Sequence, residues 1–395
     1  MGRIMIFTGK GGVGKTSVAA SHALKAAKEG KKTLIVSTDM AHNLSDLFQK
    51  ALGKEPVEVY PKLEALEIDP NYEMERHYGT IKNAFQKMMF NMENVASQME
   101  EMEDITVIPG FEELFSLIKI QEMNETGAYD LIVVDCAPTG ETLSLLKFPE
   151  LFSWYMEKLF PIGKVGIKLF RPISKKMFKI EMPDNKAMND IEVLYIQLSK
   201  LQQMLRDRES CSIRLVTIPE KMVVEETKRN YMYLNLYNFN VDGVFINRII
   251  PEEVQEDFFK AWKAIQAHHI EELEEIFQGI PIYKIRWYDK DIVGIEGLEK
   301  VVEESLKDKD LLKVLEVKQN EIFEKTNEGY SLSLYIPFAK KEGLDLVETT
   351  TDLVIKVGNF KRNIPLPLVL RKYQVGKAKW QEDQLIIFFE ERSEA

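Results

Sequence analysis

The chain opens on an unbroken apolar run at residues 3–8 (RIMIFT), then a glycine-rich turn, then a segment, 17–28, whose apolar positions fall at helical spacing. A second apolar run, 32–37 (KTLIVS), follows at once. Continuous Val, Ile and Leu runs of this length fit strands covered on both faces, and the order strand, loop, helix, strand opens a parallel α/β sheet. Further strands are expected at 63–68, 104–108, 130–134, 212–217 and 243–247, with helices in the gaps. Two insertions break the pattern. Residues 71–102 carry Met74, Met88, Met89, Met92, Met99 and Met102 around Phe85 and Phe90. Residues 151–210 form the second, and its part 151–182 holds Trp154, Phe160, Phe170, Met177 and Phe178 among Lys and Arg. Each reads either as a helical layer that buries itself or as an adaptable apolar surface, since methionine repacks easily. Beyond residue 326 the period changes to two: 330–338, 352–357 and 384–389 alternate, punctuated by Gly343, Gly358-Asn359, Gly376, Pro365 and Pro367. Residues 326–395 are therefore expected to be a small antiparallel β domain, following an α/β unit, 1–325, and entered by a helix over 302–325, either continuous or broken near the charged run Lys307-Asp308-Lys309-Asp310.

Composition narrows the classes. A net charge of -11 over 395 residues argues against a broad nucleic-acid-binding surface, so no nucleic-acid partner is expected. Two cysteines, Cys136 and Cys211, imply neither a disulfide framework nor a closed zinc site made from one chain's thiolates. The segment MGRIMIFTGKGG runs straight into a strand and does not read as a signal peptide; Ile6 stands where a myristoylation signal needs Ser or Thr. No stretch approaches eighteen apolar residues without charge, and a cytoplasmic location is expected.

The chemistry concentrates in the first turn. Gly9-Lys10-Gly11-Gly12-Val13-Gly14-Lys15-Thr16, followed by Ser17, matches G-x-x-x-x-G-K-T between a strand and a helix, the context that confirms a phosphate loop. Backbone N–H groups and the helix N-terminus would cradle the β-phosphate of ATP, Lys15 would reach the β- and γ-phosphates, and the Thr16 hydroxyl would hold Mg²⁺. Asp135 ends the strand DLIVVD, the usual Walker B arrangement, and is expected in the Mg²⁺ hydration shell. Asp39 would project from the C-terminal end of the KTLIVS strand, where ligands bind in such sheets. Cys136-Ala-Pro-Thr-Gly140 is a loop suited to a switch. The competing readings are a solvated loop lysine for Lys10, turn aspartates for Asp39 and Asp135, and a strand-end cap for Asn247.

Taken together, the loop 9–16, the segment 39–48, the segment 135–146, Thr217-Ile-Pro-Glu220 and Asn247-Arg248 resemble the ArsA/Get family, the arsenite-pump ATPases and the factors that deliver tail-anchored membrane proteins. The likeness covers roughly residues 1–310. It implies a P-loop NTPase of class α/β, with a mostly parallel sheet flanked by helices, helical insertions, and a C-terminal domain resembling small heat-shock proteins. It further implies that Lys10 acts across a homodimer, that Asp39 positions or activates the attacking water, and that Asn247 reads the adenine ring beside a loop at 284–291. The expected function is an ATP-hydrolysing homodimeric switch that captures a hydrophobic client helix, such as a tail-anchored protein, and hands it to a transient membrane-protein partner. The energising ATPase of an arsenite or anion pump, and a partitioning or assembly ATPase, are the alternatives. The sequence departs from the family pattern at Met40, where proline is usual, and at Glu141, where histidine is common. It also lacks a C-x-x-C pair and grouped arsenite-binding cysteines.

Overall fold

The computed structural model describes residues 2–39, 43–73, 75, 113–136, 146, 185–315, 320–326, 329–349 and 351–392. The strand expected at 104–108, most of the insertion 71–102, the segment 151–182 and the switch residues 137–140 lie outside them.

The long apolar runs become the central strands of an eight-stranded sheet. In chain order these are β1 (Arg3–Thr8), β2 (Thr33–Ser37), β3 (Val57–Tyr60), β4 (Leu63–Glu67), β5 (Leu131–Asp135), β6 (Cys211–Thr217), β7 (Val241–Ile249) and β8 (Ile282–Arg286), set side by side as β3-β4-β2-β5-β1-β6-β7-β8. All neighbours are parallel except β3 and β4, which make an antiparallel edge hairpin. Both faces are covered. Ile4 and Ile6 of β1 join one apolar cluster, Met5 and Phe7 the other. The first face packs under α3 (Glu113–Glu125), α4 (Asn185–Arg206) and α5 (Lys221–Leu236). The second packs under α1 (Lys15–Lys28), α2 (Asn43–Phe48) and α7 (Gly294–Val301). The strand pair β7 and β8 is spanned by α6 (Asp257–Ile276). Among the described residues, no helix is long and apolar enough to cross a membrane.

The sheet also carries charge where none is expected. Asp242 on β7 is fully buried and accepts from Arg214 of β6 (Nε to Oδ1, 3.1 Å) and from Arg3 of β1 (Nη2 to Oδ2, 2.5 Å). Arg214 Nη1 lies 3.4 Å from His22 Nδ1, and the His22 ring packs against Phe7 and Phe245. Burial first, then the nearby guanidinium groups, holds the His22 pKa well below its ordinary value of 6.5, so the folded ring is neutral. The unfolded chain binds that proton near pH 6.5 and the fold refuses it, so this contribution to stability is complete above about pH 6.5 and is lost as pH falls. Unfolding free energies from urea denaturation should therefore fall below pH 6.5 with an extra slope of up to about 1.4 kcal/mol per pH unit, and His22→Gln should remove that slope. An identical profile in the variant would disprove the assignment.

The helix expected over 302–325 is not formed. After α7 a single wide turn, Val302–Leu306, ends the helical path. Asp310 Oδ1 then accepts from the backbone N–H of Leu312 (3.1 Å) and Lys313 (3.0 Å), a turn that diverts the chain. Residues Glu321–Thr326 are a strand, β9, paired antiparallel with β10 (Gly329–Tyr335). The charge-rich composition that read as a helix belongs to a turn and a half-exposed strand. The rest of the β domain follows the alternation. β14 (Tyr373–Gln381) and β15 (Gln384–Glu391) complete the sheet β14-β15-β10-β9, while β11 (Leu344–Glu348), β12 (Asp352–Val357) and β13 (Phe360–Pro365) make a second one. Its anchor is the C-terminal end of α5. Buried Arg362 donates to Leu236 O (2.7 Å) and Glu321 Oε2 (2.6 Å), Tyr237 Oη donates to Lys361 O (2.9 Å), and Phe360 packs on Tyr233.

Candidate functional site

The sequence-predicted residues meet where the central strands β1, β2 and β5 reach their C-terminal ends. The register pairs Phe7 with Asp135 and Ser37 with Asp135, so the loop after β1, the segment after β2 and the end of β5 emerge side by side. The loop after β1 needs its glycines. A Cβ on Gly9 would lie 2.1 Å from Val216 O of β6, and Gly14, at φ 86°, would place one 2.5 Å from Asn247 Nδ2. Side chains at Gly11 and Gly12 would meet nothing within 4 Å, so the outer wall of the turn is open. Gly14 also begins α1, and no side chain caps that helix, which leaves its first N–H groups directed at the turn.

Lys15 is buried and its ammonium donates to Lys10 O (3.2 Å), curled across the turn. Lys10 points outward and pairs with Glu226 of α5 (3.4 Å), both partly exposed. Asp135 is 1% exposed. It accepts a hydrogen bond from the Thr16 hydroxyl, while its Oδ1 has no protein partner among the described residues. Burial raises its pKa to about 7 despite Thr16 and Lys15, and Asp39 adds to the rise. A buried carboxylate oxygen left unmatched beside a hydroxyl and a second carboxylate is the donor set a hard divalent cation accepts. These residues therefore fit Mg²⁺. Asp39 is positioned by Ser37, whose Oγ accepts from the Asp39 N–H (3.1 Å), and by Asn43, whose Nδ2 donates to Asp39 Oδ2 (3.1 Å).

Asn247 is brought to the loop by the end of β7. Its Nδ2 donates to Val13 O (2.9 Å), and its Oδ1 accepts from Arg248 N (2.9 Å). Arg248 adopts φ 57°, a left-handed conformation that a long side chain seldom takes. A residue the sequence reading missed sustains it: buried Gln266 of α6 donates to Arg248 O (3.1 Å) and accepts from Ile250 N (2.9 Å). Only its place on the inner face of α6 signals it, and a lone glutamine there reads as a surface residue. Both cysteines are buried, Cys136 just past β5 and Cys211 at the start of β6. Burial, then Asp242, pushes the Cys211 thiol up to about 12.

A glycine turn between strand and uncapped helix, with a lysine inside it and a buried aspartate across from a threonine, defines a P-loop nucleotide hydrolase. The model of the family described as Anion-transporting ATPase matches residues 2–307, and that of an HSP20-like domain found in ArsA matches 327–389. The chain belongs to this ArsA ATPase family and is an ATP-hydrolysing enzyme. It is 35% identical over 391 residues to a protein of Prosthecochloris vibrioformis named "Putative arsenical pump-driving ATPase", covering 98% of this chain and 96% of that one. A protein of Aquifex aeolicus given the same name with the number 1 is 34% identical, with 98% and 99% covered. An "ATPase get3" of Pyrenophora tritici-repentis is 28% identical, with 75% and 88% covered.

Proposed function

We propose that the protein is a homodimeric, ATP-driven switch that energises a membrane transport partner. The convergence of Lys15, Thr16, Asp135 and Asp39 at the C-terminal ends of the central strands carries this reading. Likeness over both domains to relatives named as pump-driving ATPases favours transport as the output. Gly9 to Ser17 would wrap the phosphates, Lys15 would neutralise the β- and γ-phosphoryl oxygens, and Asp39 would orient the attacking water. Thr16 and Asp135 would hold Mg²⁺, which supplies charge neutralisation on the transferred phosphoryl group when bound. Asn247 would contact the adenine, exchanging its bond to Val13 O. The products are ADP and phosphate.

Arsenite has no grouped thiols to meet on one chain, because the two cysteines are both buried, Cys136 just past β5 and Cys211 at the start of β6, and a trivalent arsenic site needs grouped soft ligands. Arsenite should leave the turnover of the isolated protein unchanged. Delivery of a hydrophobic client helix is the second reading, favoured by the Met- and aromatic-rich residues 71–102 and 151–182 and by the get3 relative. Copurification of an Asp39→Asn protein from native membranes with ATP separates the two. A polytopic transporter supports the first reading, and proteins bearing one C-terminal apolar helix overturn it in favour of the second.

Lys10 pairs with Glu226 and is partly exposed, which supports the reading that it crosses to a second copy's nucleotide. Lys10→Ala should bind ATP normally yet lose about 10²-fold or more in turnover. Light scattering with a non-hydrolysable analogue should report a dimer. A monomer under those conditions, or wild-type turnover by Lys10→Ala, refutes the exchange.

A further inference from the structure

We propose that His268, His269 and Glu272 of α6 form a binding site for a divalent transition-metal ion of the zinc class. The three residues read H-H-x-x-E on one helix. That spacing sets the carboxylate one turn beyond both imidazoles, at i+4 from His268 and i+3 from His269, so all three lean to one face. Their donor atoms all lie within 4.8 Å of one another, and His269 Nδ1 is already 3.0 Å from Glu272 Oε2. His269 is buried, Glu272 partly so, and His268 is exposed. Rotation of the exposed His268 ring is the movement needed to bring the set to zinc bond lengths of about 2.0–2.2 Å.

The surroundings suit an ion with an open coordination position. The three residues line a cleft of about 570 Å³ between α5 and α6, together with Lys221, Glu225, Ala264 and Ile265. Two imidazole nitrogens and one carboxylate oxygen, with room for water or a further ligand, are the donor set of a four-coordinate zinc site. Nitrogen donors select against Mg²⁺ and Ca²⁺, which separates this site from the nucleotide end of the sheet. Glu272 also has a competing partner. The Lys228 ammonium of α5 pairs with Glu272 and with Glu225 Oε1 (2.8 Å). A metal ion takes the Glu272 carboxylate and leaves Lys228 with Glu225, so the lysine lowers the affinity without blocking it.

The test uses the full chain stripped with a chelator, without nucleotide and in excess Mg²⁺, titrated calorimetrically with Zn²⁺. One ion per chain is expected at this site. His268→Ala, a change at an exposed position, should weaken binding about tenfold or more. Lys228→Met should tighten it, which simple surface histidine binding does not predict. Co²⁺ in place of Zn²⁺ should give visible absorption of a four-coordinate nitrogen and oxygen site, lost in Glu272→Gln while circular dichroism stays unchanged. Absence of uptake under excess Mg²⁺, or uptake indifferent to both His268→Ala and Glu272→Gln, overturns the proposal.

Discussion

Asp242→Ala is expected to cost about 3–5 kcal/mol and to leave little folded protein at ordinary growth temperatures. Its carboxylate answers two guanidinium groups inside the sheet, and Arg214 is 1% exposed with nowhere to find water. Removing the anion leaves the buried Arg214 and the largely buried Arg3 beside a neutral His22 without the carboxylate that neutralises them. Arg3 has a partial escape, since it also donates to Leu312 O (2.6 Å) and is 12% exposed. The damage therefore centres on Arg214. Arg214→Met combined with Asp242→Leu should recover a large part of the loss, because an apolar pair of similar volume avoids the desolvation that the ion pair must offset. Urea denaturation of the three proteins decides it. An Asp242→Ala protein within 1 kcal/mol of wild type, or a double variant no better than the single one, would falsify this account of the sheet.

That network shows where sequence reading stops. The strands CSIRLVT and VDGVFINRI look like ordinary runs with one and two charges, and charges read as solvent-facing. Only the parallel pairing β1-β6-β7 makes neighbours of residues as far apart as 3, 214 and 242. Asn247 is similar: its partner Val13 is 234 positions away. What was legible had either local chemistry or strong periodicity. The loop 9–16 is specified by glycines whose absent side chains make room for Val216 O and Asn247, and Asp135 is announced by the apolar run before it. Edge strands were missed because one face of each is wet. β3 (VEVY) and β8 (IYKIR) alternate with polar residues over only four or five positions, too few to stand out from a loop. The charged run 307–310 marked a place for a break, but not that the helix fails to resume beyond it, since the residues that follow suit a helix until the Asp310 side chain claims the backbone N–H groups.

Lys15→Ala and Asp39→Asn are expected to abolish ATP turnover in distinguishable ways. Lys15 is the first residue of α1, and its ammonium lies across the glycine turn, donating to Lys10 O. Removing it takes away a cation buried inside the turn; with ATP bound there as proposed, the phosphate oxygens would lose that counter-charge, so binding itself should fall. Asp39 stands elsewhere, after β2, with its backbone N–H fixed by Ser37 Oγ and its Oδ2 accepting from Asn43. Asparagine preserves the size, the backbone contact and an acceptor for Asn43. It removes the negative charge that would orient the attacking water and stabilise its developing positive character. The nucleotide should still bind, while turnover drops by about 10²–10⁴-fold, the ordinary worth of a positioned general base. The same substitution relieves the repulsion that helps raise the Asp135 pKa, which favours binding if it changes it at all. Equilibrium binding of a fluorescent ATP analogue, read beside phosphate release, separates the two variants. Tight binding by Lys15→Ala removes the lysine from the phosphate site, and normal phosphate release by Asp39→Asn removes the aspartate from the chemistry.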